Sequence, residues 1–215
     1  MSLKLYYHPL ASFCWKTLIA LYENATPFEP LLVDLSAADS RATLLRLWPV
    51  GKFPVLRDEA RDVTVPESSI IIEYLAQHYP GRAALIPADA ELAREVRLRD
   101  RFYDHYVHQP MQKIVTDRLR PAGKNDLHGV EEARTLLQTA YAIIEDEMAT
   151  RTWAAGEQFT MADCAAFPAL FYANWAQPIG AAHGNVARYL TRLQERPSIA
   201  RVITEAQPYF HKVPQ

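Results

Sequence analysis

Strand-like and helix-like segments are unevenly distributed along this chain, and that distribution most restricts its fold. The first 80 residues alternate short apolar runs with helical spacing in the order βαβαββα. Leu3 to Tyr7 and Phe28 to Leu35 are typical of strands that flank a helix. The runs Pro54 to Leu56 and Val63 to Val65, separated by a polar turn, predict a hairpin. The chain therefore begins with a compact α/β unit.

The rest of the chain has helical spacing throughout. A Pro- and Gly-containing stretch at 81–90 is typical of a linker, so we predict an α/β domain over 1–80 and an all-helical domain over 91–215. Glu91 to Arg120 is amphipathic, and Pro110 should kink it. Met161 to Trp175 is apolar almost all round and predicts a central buried helix.

Composition excludes several classes of function. A hydrophobic share of 49% and a formal net charge of -2 are typical of a globular protein without the basic field that binds nucleic acid. No apolar run is long enough to span a membrane, and no cleavable leader is visible, which favours a cytoplasmic location. The two cysteines, Cys14 and Cys164, are too few for a disulfide scaffold or a metal cluster.

Three local strings resemble those of the cytosolic glutathione S-transferase family. They are WPVGKFPVL at 48–56, PESSIIIEYL at 66–75 and FTMADCAAFPAL at 159–170. The resemblance implies an α/β thioredoxin-like N-terminal domain, βαβαββα, followed by an all-α C-terminal domain. It also implies glutathione as co-substrate, no metal, no membrane, and a two-fold homodimer in the cytoplasm.

The first two strings imply the residues that bind glutathione. In the family, the proline at the position of Pro54 is cis, and the backbone of the residue before it, here Phe53, pairs with the cysteinyl unit. Glu67 and Ser68 come where the third helix should begin, so an acceptor for the γ-glutamyl ammonium lies beside donors for its carboxylate. Plain N-capping would also explain one such residue. Lys52 is assigned to the glycyl carboxylate.

The group that ionises the glutathione thiol is less well defined by the sequence. The family usually places a serine or cysteine where this chain has Ala11, and the hydroxyl comes one residue later, at Ser12. We predict Ser12 as the catalytic residue, because a hydroxyl donor at a helix N-terminus stabilises a thiolate. The backbone amides of the 12–14 turn, one of the tyrosines Tyr6 and Tyr7, or Cys14 remain alternatives.

The second domain should supply the wall of the site for the electrophile. Tyr103, Tyr106 and Tyr172 are predicted to form it, since tyrosine offers a flat apolar face with a polar tip. Thr160 and Asp163 have the spacing of a capping box for the central helix. Four arginines are expected in a solvated or dimer-facing stripe: Arg94, Arg97, Arg101 and Arg118.

The resemblance therefore implies an enzyme that conjugates glutathione thiolate to small hydrophobic electrophiles by substitution or addition. The string SFCWK, residues 12–16, is also similar to that of the zeta class, whose members isomerise maleylacetoacetate. A glutathione-dependent isomerase is therefore one alternative. A glutathione- or ligand-binding protein without catalysis is another, because Ala11 lacks the usual hydroxyl.

Overall fold

The computed structural model describes residues 2–213 and has one four-stranded sheet in its N-terminal part. The strands are β1 (Leu3–Tyr7), β2 (Glu29–Leu32), β3 (Val55–Asp58) and β4 (Val63–Pro66), in the spatial order β2-β1-β3-β4. β1 runs parallel to β2, while the β1–β3 and β3–β4 pairs are antiparallel. The predicted α/β thioredoxin-like arrangement is confirmed.

Three helices accompany this sheet: α1 (Ser12–Glu23), α2 (Ala38–Leu47) and α3 (Ser68–His78). The interior of α1 is buried almost completely, including Trp15, Leu18 and Ile19. β2 is shorter than the predicted run Phe28 to Leu35. Its end is set by Asp34, whose side chain accepts a hydrogen bond of 2.9 Å from the amide of Ser36 and so turns the chain.

Beyond this part, the described regular structure is helical. The helices are α4 (Ala90–Phe102), α5 (Gln109–Arg118), α6 (Leu127–Glu147), α7 (Met161–Ala176), α8 (Gly184–Gln194) and α9 (Pro197–Ala206), followed by a 3₁₀ segment (Gln207–Lys212). The predicted all-helical second half is therefore confirmed as a fold class.

The long stretch Glu91 to Arg120 contains a break just before Pro110, where a kink is predicted. Residues Tyr103–His108 form a π-helical turn between α4 and α5. Proline has no N–H to donate to the preceding turn, and a wider π turn accommodates the lost hydrogen bond. As a result Asp104 and His108 are both buried, on the side facing α1 and α7.

The central helix α7 joins the two halves of the molecule. Its capping box is present, with the Thr160 amide donating to Asp163 Oδ2 at 2.8 Å. Asp163 also accepts from the Ala154 amide at 2.8 Å and the Tyr189 hydroxyl at 2.6 Å, so it links three segments. Trp15 of α1 stacks on Phe167 of α7, with ring centroids 5.7 Å apart.

Candidate functional site

A cavity of about 540 Å³ lies between the α/β part and the α4–α5 region. Its wall includes all five residues predicted to bind glutathione: Lys52, Phe53, Pro54, Glu67 and Ser68. The loop before β3 supplies the first three, and the start of α3 supplies the other two. The structure thus groups residues from two separate strings around one space, although their contacts with glutathione stay a prediction.

The loop before β3 forms one edge of this cavity. The Phe53–Pro54 peptide bond is cis, as the family resemblance implies. Pro54 is buried, while Lys52 is exposed and its side chain is available to a ligand. The ring of Phe53 stacks on His8 with centroids 5.9 Å apart, which holds the loop against the end of β1.

The opposite edge is the start of α3. Glu67 precedes the helix with φ 69°, a backbone region that a residue with a side chain rarely adopts. Such strain is of order 1–3 kcal/mol and is typical of functional positions. Glu67 is exposed and Ser68 is buried. Within residues 2–213, the amides of Ser68 and Ser69 have no hydrogen-bond acceptor, so they can bind an anion.

A buried charge cluster, which the sequence did not indicate, lies beneath this helix start. Lys16 Nζ is 2.6 Å from Asp100 Oδ1 and 2.8 Å from Asp104 Oδ2, and it donates to Ser69 Oγ at 2.8 Å. Arg101 closes the cluster with bonds of 2.7 Å to Asp100 and 2.6 Å to Asp104. The only sequence signal is the spacing of two aspartates four residues apart beside an arginine.

This cluster ties the two halves of the protein together. Lys16 belongs to α1, Ser69 to α3, and the three remaining side chains to α4 and the π turn. Burial raises the pKa of the Asp104 carboxyl, opposed by the positive charge of Lys16. Asp100, Arg101 and Asp104 also line this cavity. The Arg101 side chain is 48% exposed, so it is partly solvated as expected, while it also pairs with the two buried aspartates.

Ser12, the predicted catalytic residue, is the first residue of α1 and contacts His108 of the π turn. Its Oγ lies 3.3 Å from the ring nitrogens of His108. Burial, together with the charge of Lys16, lowers the pKa of His108 from 6.5 to about 4, so the ring is neutral at pH 7. The edge of His108 also meets Phe13, with centroids 4.4 Å apart. No motif in the sequence indicates a catalytic role for this histidine.

The alternatives to Ser12 differ in their accessibility. The amides of Ser12 and Phe13 have no acceptor in the described part of the chain, whereas the Cys14 amide donates to Ala11 O at 2.9 Å. Cys14 is fully buried, and burial raises the pKa of its thiol to about 12. Tyr6 and Tyr7 line neither this cavity nor the larger one beside it. The two free amides therefore remain the best alternative.

A second cavity, of about 910 Å³, opens beside the first. The two share five wall residues: Phe13, Lys52, Phe53, His108 and Gln112. The rest of the larger cavity is mostly apolar, with walls from α5, α7 and the C-terminal 3₁₀ segment; Met111, Val115, Trp175 and Phe210 are among its residues. Ser12 lines this cavity, and its hydroxyl contacts His108, which lines both cavities.

Two of the three tyrosines predicted for the wall lie elsewhere, which corrects the prediction. Tyr103 is 1% exposed and packs edge-on against Phe102 in the core. Tyr106 is 49% exposed but lines neither cavity. The π turn changes which face of this segment is buried, and helical spacing cannot anticipate that. Tyr172 does line the larger cavity, and its hydroxyl donates to Leu10 O at 2.8 Å.

Among residues 2–213, no three His, Cys, Asp or Glu side chains are grouped so as to hold a metal ion. The helices in the described range include none with the length and apolar character needed to cross a bilayer.

Comparison with known proteins covers both halves of the chain. Residues 5–83 match the family "Glutathione S-transferase, N-terminal domain", and residues 128–200 match "Glutathione S-transferase, C-terminal domain". Glutathione S-transferase 3 of Zea mays is 31% identical over 210 residues, which cover 94% of this chain and 93% of the maize protein.

Two solved structures are similar throughout. One is a glutathione S-transferase from Methylobacillus flagellatus with glutathione bound, with TM-score 0.86, 25% identity, and coverage of 94% of this chain and 98% of that one. The other is a glutathione S-transferase from Methylobacterium radiotolerans in complex with glutathione sulfonate, with TM-score 0.81, 27% identity and 94% coverage of each chain.

Proposed function

Because the chain belongs to the glutathione S-transferase family, we propose that it joins the sulfur of glutathione to an electrophilic carbon of small hydrophobic molecules. The observation that carries this proposal is the pair of adjoining cavities. One gathers the residues expected to bind glutathione, and the other is largely apolar. Ser12 lines the second cavity and contacts His108, which lines both. The similar structures with glutathione or its sulfonate bound support the choice of co-substrate.

In this proposal, the smaller cavity holds glutathione by its two charged ends. Glu67 accepts from the γ-glutamyl ammonium, while Ser68 and the free amides at the start of α3 donate to the neighbouring carboxylate. The backbone of Phe53 pairs with the cysteinyl unit as a strand would. Lys52, which lines both cavities, meets the glycyl carboxylate.

The thiol then lies near the start of α1, where its ionised form is stabilised. A thiol of pKa about 8.5 is mostly protonated at neutral pH, so binding must favour the thiolate. His108 is neutral and can donate one ring N–H to Ser12 Oγ, which leaves the hydroxyl hydrogen of Ser12 free to donate to the sulfur. The amides of Ser12 and Phe13 add further donors. His108 is thus a positioning residue that acts through Ser12.

Transfer requires no further catalytic group from the protein. On binding, the thiol proton passes to solvent. The thiolate electron pair forms a carbon–sulfur bond, and in substitution the leaving group departs with its own bonding pair. When the thiolate instead adds to an enone, the electron pair displaced from the carbon–carbon double bond takes a proton from solvent. Holding both reactants in adjoining cavities supplies proximity.

The same proposal includes a two-fold homodimer and a cytoplasmic location. Ile70 of α3 and Leu98 of α4 are apolar and more than half exposed, at 53% and 51%, on helices joined by the Arg97–Glu73 ion pair of 2.7 Å. A second copy that covers them would bury this surface. A reducing compartment suits a reaction whose nucleophile is a free thiol. Light scattering of the pure protein measures the oligomeric state directly.

The experiment that tests the function combines calorimetric titration of glutathione with an ultraviolet difference spectrum of the bound thiol across pH. We expect binding, a thiolate signal well below the pH at which free glutathione ionises, and conjugation of a generic aryl halide. Binding with a thiol that stays protonated and no conjugation would instead identify a glutathione-binding protein without catalysis. Absence of binding would contradict both.

A further inference from the structure

The larger cavity has an unusual distribution of charge. Its described wall contains three cationic side chains, Lys52, Arg118 and Lys212, and no aspartate or glutamate. The chain as a whole has 25 acidic and 23 basic residues, so this asymmetry is local. The smaller cavity differs, because four carboxylates accompany its cations: Glu67, Glu73, Asp100 and Asp104.

Arg118 is the most notable of the three cations. It is the last residue of α5, and its guanidinium donates to the Ala176 carbonyl at the end of α7, at 3.3 Å. Within the described residues it has no carboxylate partner, whereas its neighbour Arg120 pairs with Asp117 at 3.2 Å. A guanidinium has five N–H donors, so most of those on Arg118 are available to a ligand.

Lys212 faces the same space from the C-terminal 3₁₀ segment. Its Nζ lies 5.8 Å from the centroid of the Tyr209 ring, and it pairs with no carboxylate in the part of the chain that the structure describes. Lys52 is shared with the smaller cavity and is already assigned to glutathione. Arg118 and Lys212 do not line the smaller cavity, so glutathione bound there does not engage them. The Asp34 carboxylate lies within Coulombic range of Lys212, so Arg118 is the cation with the greater need of a ligand anion.

The remaining wall is apolar and aromatic, with Phe13, Trp175 and Phe210 among its residues. Charges beside such a surface interact more strongly than in open water, because less solvent screens them. A planar guanidinium matches a carboxylate, to which it can donate two parallel hydrogen bonds. A ligand with an apolar body and one carboxylate would therefore satisfy both parts of the wall.

We propose that the electrophile taken by the larger cavity carries a carboxylate, which binds Arg118 with support from Lys212. This inference rests on the proposed function and deepens it by naming the substrate class. Arg118 sets specificity and does not take part in the bond-forming step.

The test compares a chloronitrobenzoate with the matching chloronitrobenzamide, which has nearly the same shape and no charge. For each compound, kcat/KM is divided by its uncatalysed rate with glutathione, and the dissociation constant is measured by calorimetry. We expect wild-type protein to prefer the carboxylate about tenfold or more in both quantities, since hydrogen bonds to charged groups are the strong ones. Salt should weaken the preference.

Three variants locate the cause of the preference. Arg118→Gln should abolish most of the preference for the carboxylate. Arg118→Lys should retain part of the preference, because the positive charge remains while the two parallel N–H donors of the guanidinium are lost. Arg120→Gln removes an equal charge from a nearby residue outside the cavity, so the preference for the carboxylate should stay unchanged. If Arg118→Gln does not fold, Lys212→Gln and Arg118→Lys still test the proposal, each with a reduced preference expected.

Equal use of the two compounds by the wild type, or a preference that survives Arg118→Gln, would overturn the inference. Conjugation of both compounds at equal efficiency would overturn it while leaving the proposed transferase function intact. If neither compound is conjugated, the transferase function fails, and the ratio of dissociation constants still decides whether the cavity selects a carboxylate.

Discussion

Ser12 and His108 lie 96 positions apart in the chain, yet the Ser12 hydroxyl is 3.3 Å from the His108 ring. One begins α1 and the other ends the π turn, so this contact crosses from the α/β part to the helical part. It places the hydroxyl of a residue that lines the larger cavity against a neutral imidazole that lines both cavities.

Replacing Ser12 with alanine should lower the conjugation rate by about tenfold or more and leave glutathione affinity nearly unchanged, because one charge-assisted hydrogen bond to the thiolate is lost. Steady-state kinetics and calorimetry measure the two effects separately. The control is Ser40→Ala, a serine that lines neither cavity. If His108 acts through Ser12, adding His108→Asn to Ser12→Ala should reduce the rate little further. An unchanged rate in Ser12→Ala would assign thiolate stabilisation to the amides of Ser12 and Phe13.

The depressed pKa of His108, about 4 instead of 6.5, links folding stability to pH. The unfolded chain binds the proton near pH 6.5, but the folded protein resists it until about pH 4. Stability should therefore fall as the pH falls through this window, by up to about 3 kcal/mol, and His108 adds no further loss below it. The free energy of unfolding, measured with urea at several pH values, should depend less steeply on pH in His108→Asn than in the wild type. The exposed His128→Asn is the control, and equal slopes in all three proteins would contradict the assignment.

Replacing Glu67 with glutamine should weaken glutathione binding by about tenfold, because the ammonium loses a charged acceptor while the shape is kept. The glutathione thiol, once bound at saturating concentration, should ionise as in the wild type. Calorimetry gives the first quantity, and the ultraviolet difference spectrum gives the second. Glu59→Gln, which changes a glutamate outside both cavities, is the control. Equal affinity in the two variants would remove Glu67 from the glutathione site.

Removing the buried cation with Lys16→Met should cost about 3–5 kcal/mol of stability, because Asp100 and Asp104 stay buried with Arg101 as their remaining ion-pair partner. The matched control is Lys4→Met, whose ion pair with Glu59 is partly exposed and should contribute little. Urea unfolding at neutral pH compares the two variants. A Lys16→Met protein as stable as the control would show that the cluster does not hold the two halves together.

The local sequence determined the order of elements and predicted the residues proposed to bind glutathione. Strand and helix periodicities are set by neighbours a few positions apart, so the βαβαββα order was predictable. The string around Pro54 fixes a short loop, and the string around Glu67 fixes the start of a helix. The fold then brings these two segments to one cavity, which the family resemblance had implied.

Tertiary structure alone decided the contacts between distant helices. The π turn before Pro110 buries Tyr103 in the core and turns Asp104 and His108 toward α1, where they meet Lys16 and Ser12. A regular 3.6-residue period does not include that turn, so two of the three tyrosines predicted for the wall, Tyr103 and Tyr106, lie elsewhere. The physical reason is that packing across 88 or more positions depends on how whole helices are oriented, while periodicity reports only the local backbone.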